Sequence, residues 1–180
     1  EVAAQRYVDL SDAQYGVALL NDCKYGYKVH DSVLDLNLLR SPTNPDPDAD
    51  LGRHTFTYSL LPHIGVMVES DVQLEAAQLN QPPLIFEDMR ASAFEIPVLI
   101  NGDGVGLEVL KRAEKSTDLI IRLVEQRGFR TEAVVQCADT EHRVVECDLM
   151  EWHDLKDWGV GSACIAMEPF EIRTFRIVCN

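Results

Sequence analysis

Alternation of apolar and polar positions is the strongest signal in this chain. Residues 33–38 (VLDLNL) are its cleanest stretch. Val33, Asp35 and Asn37 point one way and Leu34, Leu36 and Leu38 the other. A period of two is what a half-buried antiparallel strand requires. The same reading predicts strands over 2–10, 15–20 and 25–29. It predicts another over 54–60, where Phe56, Tyr58 and Leu60 alternate with Thr55, Thr57 and Ser59. Asn21-Asp22 carries turn chemistry, and the 25–29 run follows it closely enough to make a hairpin. After Pro62-His63 the pattern changes. Residues 71–79 (DVQLEAAQL) set Val72, Leu74, Ala76 and Leu79 among helix formers, with Asp71 placed to cap. This is the one short helix expected, and 80–83 ends it.

The second half continues the strand pattern. An apolar run at Ile85 and a Phe94-Ile96-Val98-Ile100 run precede a Gly102-Asp103-Gly104 turn. Strands are expected over 106–114, 119–125, 131–137, 143–149, 163–167 and 172–178. The 106–114 stretch is rich in helix formers, but Leu107 and Val109 alternate and strands flank it. Short strands at regular spacing with one helix predict an all-β fold, an antiparallel β-sandwich. On pattern alone a seven-stranded immunoglobulin-like sandwich is the alternative. No repeat, low-complexity tract or linker divides the 180 residues, which are read as one domain.

Between the 33–38 and 54–60 runs lies a long Pro/Asp-rich loop, 41–52, containing Pro42, Pro45, Pro47, Asp46, Asp48 and Asp50. None of these is a core residue. A loop of this length between well-defined strands reads as one held in place and presented to a ligand or partner. Its Asp-x-Asp-x-Asp run is not a calcium loop. Counting from Asp46, the sixth and twelfth positions are Leu51 and Thr57 where Gly and Glu are needed.

Composition narrows the function classes. Sixteen basic residues stand against 30 acidic ones, a net charge of −14, which excludes phosphate-neutralising nucleic-acid binding. The hydrophobic fraction of 46% is enough for a substantial core. Five cysteines, Cys23, Cys137, Cys147, Cys164 and Cys179, show no C-x-x-C spacing, so free thiols in a reducing compartment are expected. No N-x-[ST] acceptor occurs, and no apolar run approaches the ~20 residues of a membrane span. The start at Glu1, with no signal-peptide pattern, is the one expected of a piece of a longer polypeptide.

Ordered blocks of sequence carry a resemblance. LLNDCKYGY, LNLLRSP and PDPDADLGRHTFTYSLLPH resemble the C-terminal β-domain of the α-mannosidases of glycoside hydrolase family 38, in its cytosolic/vacuolar branch. EVAAQRYVDLSDAQYG, GLEVLKRAE, LIIRLVEQRG and PFEIRTFRIV extend the likeness over nearly the whole chain. The resemblance implies a retaining enzyme that releases mannose from α-linked oligosaccharides. It implies an Asp nucleophile and a carboxylic general acid at the short separation double displacement needs. It also implies a zinc held by His and Asp. Those motifs belong to an upstream catalytic barrel, and this chain contains none of them. What it implies here is a non-catalytic domain that packs on that barrel, lends a loop to the sugar site, and belongs to a homo-oligomeric cytoplasmic, vacuolar or lysosomal enzyme.

No catalytic residue and no metal ligand is therefore expected in the chain. Expected substrate-binding residues are the loop end, Asp50, Arg53 and His54, and the neighbouring turn, Asn21, Asp22, Lys24 and Tyr25. Arg53 is the leading candidate, as a guanidinium can bond sugar hydroxyls or pair with a catalytic carboxylate. The competing reading is that Arg53 and His54 fasten the loop by salt bridges to its own aspartates. For Asn21 and Asp22 it is a turn bonding its own backbone. His142 is read as part of a polar turn. Trp152 and Trp158 are read as flanking a Lys/Asp-rich loop, either as a sugar-stacking platform or as a core cap. A free-standing carbohydrate-binding or interaction sandwich is the alternative function.

Overall fold

The computed structural model describes residues 1–87 and 96–179. They form two compact units, Glu1–Glu87 and Asp88–Asn180. Among the described residues every sheet is antiparallel, and there is a single α-helix.

The first unit has two small sheets. One is β2 (Tyr7–Ser11), β3 (Tyr15–Asn21) and β6 (Tyr58–Ile64), with β3 in the middle. The other is β1 (Val2–Ala3), β4 (Gly26–His30) and β5 (Val33–Leu36), with β4 in the middle. The strand expected over 2–10 is broken at Arg6, whose φ is +68°, so its two pieces join different sheets. The expected 15–20/25–29 hairpin does not form. β3 pairs with β2 and β6 while β4 pairs with β1 and β5, because the turn at Asn21 sends the chain out of one sheet into the other.

A helix, α1 (Val72–Asn80), covers one face of β2-β3-β6. Val72 and Ala76 are fully buried against Ala18 and Leu20, with Tyr7, Leu61 and Leu79 packed alongside. Leu74, grouped with the apolar positions by its spacing, is exposed. Asp71 occupies the N-cap position without a side-chain capping bond. The C-terminal end is held instead by Asn80, whose amide donates to the carbonyls of Ala76 (2.8 Å) and Asn21 (3.0 Å).

The strand expected at 54–60 runs from Tyr58 to Ile64, and its faces are the reverse of expectation. Leu61 packs toward the helix side, while Leu60 is 64% and Ile64 87% exposed. Register decides this: Leu61 pairs with the buried Ala18, and Leu60 with Leu19 on the opposite face. Pro62 is tolerated because β6 is an edge strand and needs no outward donor. Ile85, expected in an apolar run, is exposed and lies in no strand. Phe94 lies outside the described residues.

The second unit is a sandwich. A three-stranded sheet is ordered β13-β10-β7, from β7 (Val98–Asn101), β10 (Thr131–Cys137) and β13 (Ser162–Met167). A five-stranded sheet is ordered β12-β11-β14-β9-β8, from β8 (Val105–Arg112), β9 (Leu119–Glu125), β11 (Arg143–Cys147), β12 (Asp154–Val160) and β14 (Ile172–Val178). Ala133, Val135, Ala163, Ile165 and Met167 of the first sheet meet Ile121, Leu123, Val144, Phe175 and Ile177 of the second in one core. These are the inward positions of a period-two pattern, so burial follows the alternation. The 106–114 stretch is a strand, as expected. The 154–160 stretch, read as a loop, is also a strand. It escapes a period-two search because it is an exposed, charged edge with two irregularities in its pairing to β11.

Candidate functional site

The candidate residues of the first unit gather around the turn after β3 and the end of the Pro/Asp loop. Asn21 is buried. Its side-chain oxygen accepts the backbone N–H groups of Cys23 (3.1 Å) and Lys24 (2.5 Å), and its amide donates to the Tyr27 hydroxyl. Asn21 is thus a structural turn residue with no polar atom turned outward, and burial pushes the Tyr27 hydroxyl pKa up. Asp22 is exposed. Its carboxylate accepts the Thr57 N–H at 3.0 Å, 35 residues away. A bond from the Cys23 thiol and this Thr57 N–H hold the Asp22 pKa below its ordinary value, while the Cys23 thiol is pushed up by the same carboxylate.

The loop is held through backbone rather than by salt bridges. Asp50 accepts the Ser41 N–H at 2.6 Å, Asp46 accepts the Asp48 N–H at 2.9 Å, and the Leu51 N–H reaches the Asp48 carbonyl at 3.0 Å. The His54 ring Nε2 lies 3.0 Å from the Asp50 carbonyl. The Asp46 and Asp50 carboxylates thus satisfy amides of a stiff, proline-rich segment. Among the described residues no hydrogen bond or ion pair holds Arg53, which is exposed. His54 thus helps fasten the loop, and Arg53 is exposed without a partner among the described residues.

Lys24, Asp50 and His54 line one cavity of about 270 Å³ together with Asn37 and Arg40. The Lys24 ammonium stands 4.9 Å from the centre of the Phe56 ring. Arg53 does not line this cavity. Tyr25 lines another, of about 450 Å³, with Tyr27, Asp35 and Asn37. Arg40 was not singled out by sequence. Its signal is its position in the LLRSP block, opposite the loop end. Lys24, Arg40 and His54 around Asp50 present donors and an acceptor to a common space, an arrangement suited to hydroxyl-rich ligands.

In the second unit, His142 sits in a polar turn with Asp139, 3.7 Å away. The Trp158 indole donates to Glu146 at 3.1 Å and packs against the sandwich core, so it is a core cap. Trp152 is 63% exposed. Among the described residues no three His, Cys, Asp or Glu side chains gather into a group that could hold a metal ion, and all five cysteines are free. Among them too, no helix is long and apolar enough to cross a membrane.

Comparison with known proteins agrees with this architecture. Residues 1–48 match the "Glycosyl hydrolases family 38 C-terminal domain", and residues 104–175 match the "Glycosyl hydrolases family 38 C-terminal beta sandwich domain". The chain is 40% identical over 193 aligned residues to human alpha-mannosidase 2C1, covering 99% of this chain and 18% of that protein. It is 37% identical to the mouse protein of the same name, with the same coverage. An alpha-mannosidase from Enterococcus faecalis shares the fold with a TM-score of 0.73 at 21% identity, over 98% of this chain and 21% of that one. The class is thus the C-terminal β region of a glycosidase. The chain belongs to glycosyl hydrolase family 38, as part of its C-terminal region. It spans about a fifth of the length of the curated relatives it matches.

Proposed function

We propose that this chain is the non-catalytic C-terminal part of a retaining, zinc-dependent α-mannosidase. The whole polypeptide hydrolyses α-linked mannose from oligosaccharides in a cytoplasmic setting. Nucleophile, general acid and zinc ligands lie upstream, so no step of the chemistry is assigned to residues of this chain. Its part is to position sugar: the loop ending at Arg53 reaches toward the bound mannose, with Lys24, Asp50 and His54 beside it.

The observation that carries this reading is the contrast within the loop. The Asp46 and Asp50 carboxylates and His54 are spent on holding the backbone, and Arg53 at the loop end is left without an internal partner among the described residues. A guanidinium on an ordered loop has lost part of its freedom before binding, which favours its use as a ligand contact.

A second observation supports packing on the upstream part of the polypeptide. Tyr15, Tyr58, Leu60 and Ile64 share the face of β2-β3-β6 that faces away from α1, and all four are exposed. An apolar sheet face of this kind is normally covered.

The test is mannose release by the intact polypeptide carrying Arg53→Ala, with circular dichroism as a check on folding. Loss of a charged hydrogen bond to substrate predicts a fall of about ten- to a hundredfold in kcat/KM. Unchanged activity would make Arg53 a bystander and shift attention to Lys24 and Arg40. The isolated chain is expected to release no mannose from an aryl α-mannoside even with zinc supplied, and the intact polypeptide to lose activity on chelation.

A further inference from the structure

The segment 148–153, between β11 and β12, folds back over the outer face of the five-stranded sheet. Two arginines standing on that face hold it: Arg122 donates to the Leu149 carbonyl at 3.1 Å, and Arg176 to the Glu151 carbonyl at 2.9 Å. Asp148 ties the segment's base by accepting the Trp152 N–H at 2.9 Å. Between this segment and the end of the β8–β9 hairpin lies a cavity of about 590 Å³, within the range of about 300–1,000 Å³ usual for small-molecule sites.

Trp152 forms one wall and is largely exposed. Nothing in the sandwich core requires an indole there; the core is capped by Trp158. Lys111, Asp118, Arg122 and Arg176 line the same cavity. Charge in the lining is nearly balanced, four cations (Lys111, Lys115, Arg122, Arg176) beside three carboxylates (Glu114, Asp118, Glu151). Lys111 pairs with Glu151 at 2.7 Å and Arg176 with Asp154 at 3.0 Å, while Asp118 accepts from Ser116 at 2.6 Å. A cavity built for phosphate would not set three carboxylates among its cations. An apolar aromatic face sharing a cavity with fixed donors and acceptors suits a neutral ligand that carries both C–H faces and hydroxyls.

We infer that the cavity between Trp152 and Arg122 is a carbohydrate-binding site, taking a hexopyranose unit of an oligosaccharide against the indole. Lys115, whose ammonium lies 5.7 Å from the centre of the indole, is exposed and is displaced from the ring when a sugar stacks there. The expectation that the sugar is mannose rests on the mannosidase reading; the site itself does not.

The test is titration of the full chain with α-linked mannobiose, maltose and mannose 6-phosphate, followed by calorimetry and tryptophan emission. Three variants are compared: Trp152→Ala, Lys115→Ala and, as a control, Arg130→Ala. Saturable mannobiose binding is expected, weakened at least tenfold by Trp152→Ala, retained in Lys115→Ala and unchanged in Arg130→Ala, whose exposed pair with Glu168 lies outside the cavity. Binding of maltose alone, with the same sensitivity to Trp152→Ala, keeps the site and overturns mannose as its sugar. Three outcomes overturn the inference. One is no saturable binding of either neutral sugar by a Trp152 chain that melts normally. Another is tighter binding of the phosphorylated sugar than of mannobiose. The third is a Trp152→Ala chain whose only change is its oligomeric state, which would make the indole an interface residue.

Discussion

The Asp22 carboxylate and the Thr57 backbone N–H, 35 residues apart, meet at 3.0 Å. In return the Asp22 N–H reaches the Thr57 carbonyl at 3.2 Å. The pair extends the β3–β6 ladder one step beyond its last register pair, Asn21 with Tyr58. Residues 23–56, including β4, β5 and the Pro/Asp loop, are therefore a closed excursion from a single point. Loop closure of this kind fixes where Arg53 emerges without burying the loop.

Replacing Asp22 with Ala should loosen that closure while leaving the fold intact, since Asp22 is exposed. Amide exchange at Thr57 is expected to speed up, and sugar-related activity of the intact polypeptide to fall in the same direction as with Arg53→Ala. The tie should also titrate. The Cys23 and Thr57 donors lower the folded pKa of Asp22, so the contribution is complete above the unfolded value of about 3.9. It is lost as pH falls through the lower folded value. A Thr57 amide equally protected in the Ala variant would show that the ladder alone closes the loop.

Gly16 offers a packing test. A Cβ there would collide with the ring of His63 and stand 2.5 Å from the Ser11 Cβ. The ring cannot easily retreat. It is tied to Asp9 at 2.8 Å in a pair only 7% and 8% exposed, and Asp9 also accepts from Ser11 at 2.5 Å. Gly16→Ala should therefore cost about 1–3 kcal/mol by overpacking, read by denaturant melts of the chain. Measured in a His63→Ala background, the cost of Gly16→Ala should be smaller than in the parent. A Gly16→Ala chain of unchanged stability would mean that the sheet edge yields freely.

The parts of the fold legible in the sequence are those where local pattern and burial coincide. β10 and β14 alternate because one face of each meets the sandwich core, and their bounds were read as they stand. β12 was missed because only Trp158 turns inward from a charged edge. β6 was displaced because Pro62 and His63 look like a strand end, when an edge position admits the proline and Asp9 claims the histidine. At the candidate site, the resemblance brought Lys24, Asp50 and His54 to notice, and they do share a cavity. The bonds that build it are not local: Asp22 to Thr57, Asn21 to Tyr27 and to Asn80. No periodicity encodes such pairings. Nor did any composition shift mark a boundary between the two units.

The Glu146–Arg173 pair tests what closes one end of the sandwich. The Arg173 Nε donates to Glu146 at 2.8 Å and its Nη2 to the other oxygen, with side chains 13% and 15% exposed. Burial opposes the Glu146 charge, but Arg173 and the Trp158 indole outweigh it, and the Glu146 pKa is lowered. Removing one partner from a buried pair leaves the other uncompensated. Arg173→Ala should cost about 3–5 kcal/mol, and the Glu146→Leu/Arg173→Met double variant distinctly less. Equal losses in the two would place the stabilisation in packing around Trp158 rather than in the charge pair.

Glu125 makes the sharpest pH prediction. It ends β9, is 1% exposed, and accepts the backbone N–H groups of Arg127, Gly128 and Phe170, each at 2.8 Å. It thereby locks two turns whose hinge residues, Gly128 and Phe170, have φ of +78° and +58°. Burial alone would raise its pKa, yet the donors of Phe170, Arg127, Gly128 and Phe129 lower it. A carboxylate with a depressed folded pKa contributes fully above the unfolded value of about 4.3. That contribution disappears as pH falls through the folded value. Glu125→Gln keeps the shape but turns an NH₂ toward N–H donors, and should cost about 2–3 kcal/mol at neutral pH. Its stability should also change less than the parent's on acidification, because the variant has no proton to take up there. Stability measured by urea melts from neutral to acid pH decides it. An acid limb as steep in the variant as in the parent would place the acid sensitivity in other carboxylates.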